Sequence, residues 1–336
     1  TMALPKRGHF VQAGLEHRGK WEAIDIGFPP ALIDQANIKV DLITPQMMKD
    51  LPPRRPKGIH KGTMGHLLLI AGSVGKRGAA QMAGLAAMRS GTGLVTIALP
   101  ASVGTSGSPF PVEVMTLPLP ETKEGTLSLA AEKKLLQGIA GKSAVAIGPG
   151  LSDHPETQHL VRNLIHQVSI PMVVDADGIN AIASDPSTLE RKQGTLILTP
   201  HPGEMGRLLG KEAGHIQRDR FNIAADFAKK WGVVLVLKGA HTIVAAPDGS
   251  LRVNNTGNPA MATAGVGDAL TGMIAGWVAQ GITPWDAATL GIYLHGLAGD
   301  LAEEALGEGS LMASDLIGKI PEAISTHSRM GNNDSD

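Results

Sequence analysis

The chain of 336 residues has no cysteine, few aromatic residues and almost no net charge. Without cysteine it can form neither disulfides nor Cys-ligated zinc or iron–sulfur sites, which suits the cytosol, so we expect a cytoplasmic protein. Lys+Arg 30 against Asp+Glu 31 leaves no basic field that would attract nucleic acid or an anionic membrane. No apolar run reaches the length of a membrane span, and the first residues lack a secretory pattern. We therefore expect small-molecule partners, and neither nucleic acid nor a membrane.

Glycine is abundant, with 42 residues, and short apolar runs alternate with helical patterns along the chain. The runs are too apolar for half-exposed strands, so they predict a buried parallel sheet with helices on both faces. Strands are predicted at 66–73, 93–100, 143–150, 171–178, 194–204 and 233–242. Helices are predicted near 79–90, 129–141, 156–167, 204–210, 216–231, 263–280 and 284–306. Ala- and Gly-rich helices with so few aromatic residues predict close helix packing, and we expect a homo-oligomer.

Three segments lie outside this alternation. Residues 241–256, "HTIVAAPDGSLRVNNT", predict a hairpin that turns at "PDG". Residues 21–30, "WEAIDIGFPP", predict one isolated strand that ends at prolines. Residues 325–336, "STHSRMGNNDSD", predict a disordered tail.

Unusual residues follow the predicted strands, at the sheet edge where doubly wound folds bind ligands. The glycine loop "AGSVGKRGAAQMAG" (71–84) fits neither the dinucleotide fingerprint nor the P-loop, so it is either an ordinary tight turn or a phosphate-holding loop. In "TPHPGEM", His201 and Glu204 are either ligand contacts or residues that start a helix. Lys238 follows an apolar run, where an ammonium needs either a carboxylate partner or a phosphate.

The segment "VVDADGINAI" (173–182) carries two carboxylates after a predicted strand. Asp175 and Asp177 are either metal and water ligands or caps of the next helix. For Asp177 we adopt the helix cap as the interpretation.

The most specific signal is "NNTGNPAMATAGVGD" (254–268), in which small and polar residues surround one carboxylate, Asp268. Gly265 and Gly267 permit a tight turn, and Asp268 falls in the first turn of the helix that follows. Free amide groups at such a turn attract anions such as phosphate. A carboxylate repels anions, so its presence there is explained if it accepts a proton from the group that attacks the phosphate.

The motifs "AGSVGKRGAA", "DADGIN", "HPGEMGRL", "KGAHT" and "GVGDAL" occur in this order, and together they resemble the ADP/ATP-dependent NAD(P)H-hydrate dehydratases, a branch of the ribokinase-like superfamily. The resemblance runs from about residue 42 to residue 324. It implies an α/β fold, a ribokinase-like three-layer sandwich whose mostly parallel central sheet is flanked by helices. It also implies a lyase that uses a nucleotide to remove water from hydrated NADH and NADPH, by phosphorylation of the added hydroxyl and elimination.

Carried onto this sequence, the resemblance assigns contacts with the hydrated dinucleotide to Ala79, Gly150, His201 and Asp268. It assigns the phosphorylating nucleotide to Lys238, Gly239, Ala240, His241, Thr242 and Gly267. Asp268 would be the catalytic base, next to an anion hole formed by the amides of Gly265, Val266 and Gly267. Mg²⁺ would be the cofactor, with undefined protein ligands, and ADP, or ATP, would be the co-substrate; fused bacterial members generally use ADP.

The sequence departs from the family pattern at two places. The usual "GTGD" is "GVGD" here, so Val266 supplies no hydroxyl, and the loop that usually begins "GGS" begins "AGS". Near the N-terminus, "LPKRGHF" and "GKWEAIDIGFPPALID" are similar to the tail of an NAD(P)H-hydrate epimerase domain. The resemblance thus divides the chain into an epimerase remnant and linker (1–40), a dehydratase domain (41–324) and the tail (325–336). The parent protein would be bifunctional, and this chain would carry only the dehydratase activity.

Two rival functions would use the same residues. A small-molecule kinase of the same superfamily, acting on a thiazole or pyrimidine alcohol, needs the same anion hole and base. A nucleotide-sensing module without chemistry would bind nucleotide tightly without turnover, and the presence of Asp268 argues against it.

Overall fold

The apolar runs fold into one sheet, and the helical patterns cover it. The computed structural model describes residues 1–52, 56–105 and 110–330. Its strands are β1 Val40–Leu42, β2 His66–Ile70, β3 Leu94–Pro100, β4 Met115–Leu119, β5 Ala144–Ile147, β6 Met172–Val174, β7 Leu196–Leu198, β8 Val234–Leu237, β9 Ile243–Ala245 and β10 Leu251–Val253. Its α-helices are α1 Gln12–His17, α2 Pro30–Gln35, α3 Arg77–Arg89, α4 Ala101–Thr105, α5 Glu132–Ile139, α6 Pro155–Gln167, α7 Ala176–Ala183, α8 Pro202–Leu209, α9 Ala213–Arg218, α10 Arg220–Trp231, α11 Val266–Ala279, α12 Pro284–Leu306 and α13 Ala313–Met330. Single 3₁₀ turns or short 3₁₀ helices lie at Arg7–Phe10, Gln46–Met48, Leu129–Ala131, Pro186–Arg191 and Pro259–Met261.

The sheet has ten strands in the order β1-β10-β9-β8-β7-β6-β5-β2-β3-β4. From β8 to β4 every neighbouring pair is parallel, while β9 pairs antiparallel with both β8 and β10. The mostly parallel sheet is therefore confirmed. The hairpin is confirmed as well, because β9 and β10 flank the "PDG" turn and Leu251 pairs with Ala245.

Alternate residues of the strands face two separate hydrophobic layers. In β2, Leu67 and Leu69 pack with one set of helices, whereas Leu68 and Ile70 pack with the other. The first layer contains buried residues of α3, α11, α12 and α13, and the second contains those of α5 to α10. Full burial on both faces explains why the strand sequences lack polar alternation. The result is the expected three-layer sandwich.

Small residues let α11 and α3 approach backbone to backbone. A Cβ added to Gly272 would overlap the carbonyl oxygen of Ala83, and one added to Gly276 would lie 3.2 Å from that of Ala87. The close helix packing expected from the Ala and Gly content is thus present within the chain.

Several sequence predictions are wrong in detail. The predicted strand at 21–30 is absent: Ile24 makes a single parallel bridge to Met2, and Pro30 begins helix α2 instead. Residues 22–30 are exposed, and their backbone bonds with the chain start are confined to Glu22 and Ile24, which is too little pairing to form a strand. The helix predicted at 216–231 is broken, because Asp219 has a non-helical backbone (φ −133°, ψ 43°) between α9 and α10.

Helix α13 corrects the prediction of a disordered tail over residues 325–330. His327 is buried, and its Nε2 lies 2.8 Å from the carbonyl oxygen of Met48 and 2.7 Å from that of Leu51. These contacts anchor a polar segment whose composition alone predicts disorder. Residues 331–336, the rest of the predicted tail, lie outside the described residues. Within the described ranges, none of the helices combines the length and apolar character that a bilayer span needs.

Candidate active site

A buried ion pair joins two of the strand ends that the sequence singles out. Lys238, directly after β8, places its Nζ 2.7 Å from Oδ1 of Asp175, which directly follows β6. The other carboxylate oxygen of Asp175 accepts a 2.7 Å hydrogen bond from the Thr271 hydroxyl in α11. Of the two explanations for Lys238, a carboxylate partner is therefore present. The pair ties the carboxyl edge of the sheet to helix α11.

Both members of this pair are held in their charged forms. Burial alone would raise the pKa of Asp175, but Lys238 and the hydrogen bonds to the carboxylate hold that pKa below its ordinary value. Burial alone would lower the pKa of Lys238, yet the negative charges of Asp175 and Glu204 raise it. The site therefore keeps an ammonium available to an anion.

The start of α11 lies beside this ammonium. Gly265 precedes the helix with φ +88°, a left-handed conformation that favours glycine, and the helix begins at Val266. A Cβ added to Gly267 would lie 3.6 Å from Lys238 Nζ, so the ammonium lies next to the first turn of the helix. The N-terminal amides of a helix have no intrahelical acceptor, and anion binding by these amides and Lys238 stays a prediction.

His295 of α12 supports the first turn of α11. Its Nε2 lies 2.9 Å from the carbonyl oxygen of Val266, and burial lowers the pKa of this imidazole to about 4. The neutral ring must then donate its Nε2 hydrogen to Val266. The sequence analysis did not single out His295, because nothing in its helical pattern distinguishes it from a core residue.

Asp268 lies in the first turn of α11, as predicted, and its carboxylate is partly buried. Burial, followed by the charge of Asp175, raises its pKa from 3.8 to about 7, against the opposing effect of Lys238. Among the described residues, none makes a hydrogen bond to this carboxylate. A carboxylate with a pKa near neutral pH and no bound donor is suited to accept a proton.

His201 and Glu204 form a reciprocal cap at the start of α8. His201 Nδ1 accepts hydrogen bonds from the amides of Gly203 (3.0 Å) and Glu204 (3.3 Å), and Glu204 Oε2 accepts one of 2.8 Å from the His201 amide. Burial is the main reason that the pKa of His201 is lowered and that of Glu204 is raised. Both residues thus start the helix, while the His201 side chain remains 51 % exposed at the site edge. A contact between His201 and a ligand stays a prediction.

The glycine loop and Gly150 come together after strands β2 and β5. Ser73 donates a 2.8 Å hydrogen bond to the carbonyl oxygen of Gly150, and a Cβ added to Gly150 would lie 3.1 Å from that of Ala79. Gly150 itself has φ +64°. The structure therefore brings Ala79 and Gly150 together, as the resemblance requires.

The prediction that Asp177 caps α7 is wrong, because Asp175 occupies the N-cap position. Asp177 instead accepts a 2.7 Å hydrogen bond from the Ser152 amide and forms a 3.2 Å ion pair with Lys76. Its carboxylate therefore links the glycine loop to the loop after β5. Among the residues that the structure describes, no group of three or more His, Asp or Glu is arranged to hold a metal ion.

Arg220 holds the backbone of residues 238–242. We call these residues the nucleotide loop, because the resemblance assigns them to the phosphorylating nucleotide. The buried guanidinium of Arg220 donates to the carbonyl oxygens of Ala240 (2.7 Å), Leu237 (2.9 Å) and Lys238 (3.3 Å). The loop contains two residues of positive φ, Gly239 at +142° and His241 at +51°. Thr242 closes it with a hydroxyl hydrogen bond of 3.0 Å to the Gly239 carbonyl. Sequence analysis missed Arg220, because it is one of several charged residues on a helix with one buried and one exposed face.

The sequence of this chain matches a known protein family and several of its members. The profile of the NAD(P)H-hydrate dehydratase family matches residues 67–322. A bifunctional NAD(P)H-hydrate repair enzyme of Moorella thermoacetica is 48 % identical over 324 residues, which are 96 % of this chain and 61 % of that protein. The ADP-dependent (S)-NAD(P)H-hydrate dehydratase of Bacillus subtilis is 36 % identical over 284 residues, which cover 84 % of this chain and 98 % of that protein.

Solved structures of similar proteins share the fold of this chain. The crystal structure of the ADP/ATP-dependent NAD(P)H-hydrate dehydratase from Bacillus subtilis, co-crystallized with ATP and Mg²⁺, superposes with a TM-score of 0.74 at 33 % identity and covers 86 % of this chain and 99 % of that one. A ribokinase-like protein of Enterococcus faecalis, at 22 % identity and a TM-score of 0.72, shares the fold. The chain spans less than two thirds of the length of the bifunctional relatives, of which it covers 60 % to 63 %. Because the profile matches most of its length, the chain belongs to the NAD(P)H-hydrate dehydratase family.

Proposed function

We propose that this chain dehydrates the hydrated forms of NADH and NADPH at the expense of ADP or ATP, and so restores NADH and NADPH. The observation that carries the proposal is the position of Asp268, a carboxylate with a pKa of about 7, in the first turn of α11 beside Lys238. A proton acceptor and an anion-binding place then serve one phosphoryl transfer. The named activity of the Bacillus subtilis relative supports the proposal.

The two ligands occupy the two sides of the ion pair between Asp175 and Lys238. The hydrated dinucleotide lies along Ala79, Gly150 and His201, where the glycine loop and the loop after β5 meet, and reaches Asp268. The phosphorylating nucleotide lies along the nucleotide loop, Lys238 to Thr242, and against Gly267. Asp268 is then the group that both ligands approach.

In the proposed reaction Asp268 accepts the proton of the added hydroxyl. The hydroxyl oxygen forms a bond to the terminal phosphorus of the nucleotide, and the bridging bond to that phosphorus breaks, so AMP leaves when ADP is the donor. The amides of Gly265, Val266 and Gly267, together with Lys238, stabilise charge on the transferred group. Departure of inorganic phosphate with a neighbouring ring proton then restores the double bond.

Mg²⁺ fits the charge distribution of this site. Burial is the first cause of the raised pKa of both Glu204 and Asp268, and neighbouring carboxylates add to it in each case, so the site is short of positive charge. Mg²⁺ is commonly held by one or two carboxylates together with phosphate and water oxygens. Phosphate and water oxygens would hold the ion together with Glu204, while Asp268 stays free to accept the proton, and the bound ion would shield the nucleotide phosphates.

A single incubation tests the function. Hydrated NADH is mixed with the chain and either ADP or ATP, with Mg²⁺, and the absorbance of reduced nicotinamide is followed. Its return supports the dehydratase, and the faster nucleotide identifies the donor, which we propose to be ADP. A phosphorylated product that accumulates without elimination would favour the kinase of small alcohols, and nucleotide binding without turnover would favour the sensing module. Light scattering of the same sample tests the proposed homo-oligomer.

A further inference from the structure

The first residues of the chain touch the nucleotide loop, although they lie outside the family match at 67–322. We call residues 1–24 the N-terminal segment. Arg18 Nη2 lies 2.9 Å from Nε2 of His241 in the nucleotide loop, and Arg18 Nη1 donates a 3.0 Å hydrogen bond to the carbonyl oxygen of His9. The guanidinium thus joins the N-terminal segment to the nucleotide loop.

Phe10 completes this contact. Its ring meets the His241 ring edge to face, with centroids 5.1 Å apart and planes at 85°, and the Arg18 guanidinium lies 5.3 Å above the Phe10 ring. Trp21 packs edge to face against Phe10, with ring centroids 5.5 Å apart. Phe10 is 4 % exposed and belongs to the hydrophobic layer of α5 to α10.

His241 needs such support because of its backbone. Its φ of +51° is a left-handed conformation, which costs about 1 kcal/mol or more for a residue with a side chain and persists only where surrounding contacts fix it. Its Nδ1 lies 2.8 Å from the carbonyl oxygen of Asn254, so Nδ1 carries the hydrogen and Nε2 accepts from Arg18. The imidazole is therefore bonded at both nitrogens and covered by Phe10.

We propose that Arg18 and Phe10 are positioning residues for the phosphorylating nucleotide. They hold His241 in its left-handed conformation, and this fixes the backbone of the nucleotide loop in the shape that meets the nucleotide. Affinity for ADP then depends on the N-terminal segment, whereas the site of the hydrated dinucleotide does not. The proposal rests on the assignment of residues 238–242 to the nucleotide.

The test compares Arg18→Ala with Arg7→Ala. Arg7 is in the same segment, but its guanidinium lies over the Phe221 ring at 5.6 Å and not over Phe10, so it is a matched control. We expect Arg18→Ala to raise the Kd and KM for ADP by about 2- to 10-fold, the range for one lost hydrogen bond, with the KM for hydrated NADH and kcat little changed. Phe10→Leu should act in the same direction. An unchanged Kd in Arg18→Ala, or an equal increase in Arg7→Ala, would overturn the proposal.

A second variant separates positioning from general loosening of the segment. Glycine adopts positive φ without strain, so in a His241→Gly background the loop no longer needs its support. There, adding Arg18→Ala should change the Kd for ADP by less than about twofold, and a full repeat of the single-variant effect would contradict the mechanism.

Lys238→Ala distinguishes a failure of the nucleotide-loop assignment from a failure of the positioning role. If it leaves ADP binding intact, the assignment of the nucleotide loop itself fails; if it weakens ADP while Arg18→Ala does not, only the positioning role fails.

Discussion

Replacing Asp268 with asparagine separates chemistry from folding at this site. Asparagine keeps the size of the side chain but cannot accept the proton, so kcat should fall by about 10²–10⁴-fold, the contribution of a general base. Nucleotide binding should survive and can strengthen, because a negative charge near the phosphates is removed. The measurement is kcat by recovery of NADH, with the Kd for ADP from calorimetry on the same preparation.

The same substitution should stabilise the fold at alkaline pH. Since the pKa of Asp268 is raised from 3.8 to about 7, the folded state binds this proton more tightly than the unfolded state does. The corresponding stability is fully present below pH 3.8 and is lost as pH rises through about 7, so the ionised carboxylate opposes folding above that pH. The difference between the two pKa values corresponds to at most about 4 kcal/mol, and we expect about 1–3 kcal/mol because the group is only partly buried.

Thermal unfolding at pH 8 and pH 5 measures this effect. Asp268→Asn should raise Tm at pH 8 and change it less at pH 5, and the kcat/KM of the parent should decrease below about pH 7 as Asp268 takes up its proton. Asp286→Asn is the control, because Asp286 lies in the first turn of α12 and pairs with Arg252 at 3.0 Å. It should leave kcat unchanged. A kcat of Asp268→Asn within about threefold of the parent would refute the base assignment, since proton transfer could not then depend on this carboxylate.

Three further predictions concern the ion pair and the N-terminal residues. Lys238→Ala should weaken the binding of ADP by about 1.5–3 kcal/mol and that of hydrated NADH much less. It should also lower Tm, because Asp175 keeps a buried charge without its partner. Titration with both ligands would show whether the two binding sites have been assigned the wrong way round. Thr271→Val should lower the free energy of unfolding by about 1–3 kcal/mol, since it removes the 2.7 Å hydrogen bond to Asp175, and chemical denaturation that found no change would contradict this. Residues 1–35 should add no epimerase activity, so interconversion of the two hydrate epimers faster than the spontaneous rate would disprove that prediction.

The sheet could be predicted from sequence because burial on both faces leaves a strong signal. Runs such as "LLLI" (67–70) of β2 are apolar throughout, and no half-exposed strand permits that. Strand β4, Met115–Leu119, was missed because it lies at the sheet edge, where several of its residues are exposed. Strand β1, Val40–Leu42, was missed because it is three residues long and forms only through pairing with β10. Edge strands depend on a distant partner, which a local pattern does not contain.

At the site too, roles set by neighbouring residues in the sequence could be predicted, and roles set by distant contacts could not. The position of Asp268 in the first turn of its helix follows from glycines beside it in the sequence. The partners of Asp177 do not, because Ser152 and Lys76 come from loops that only the folded sheet brings near. Arg220 is the clearest case, since its role is defined by carbonyl groups of the nucleotide loop, and any backbone segment offers such groups.

The contact between α11 and α3 limits how these two helices can move relative to each other. Helices slide past one another when their side chains can repack into new grooves, and Gly272 against the Ala83 backbone leaves no side chain to repack. Asp268 begins one of these helices and Ala79 lies at the start of the other, so their separation is a fixed length set by the crossing. Any opening and closing of the proposed site would then take place in the loops around that pair, while Asp268, the proposed proton acceptor, would keep its position.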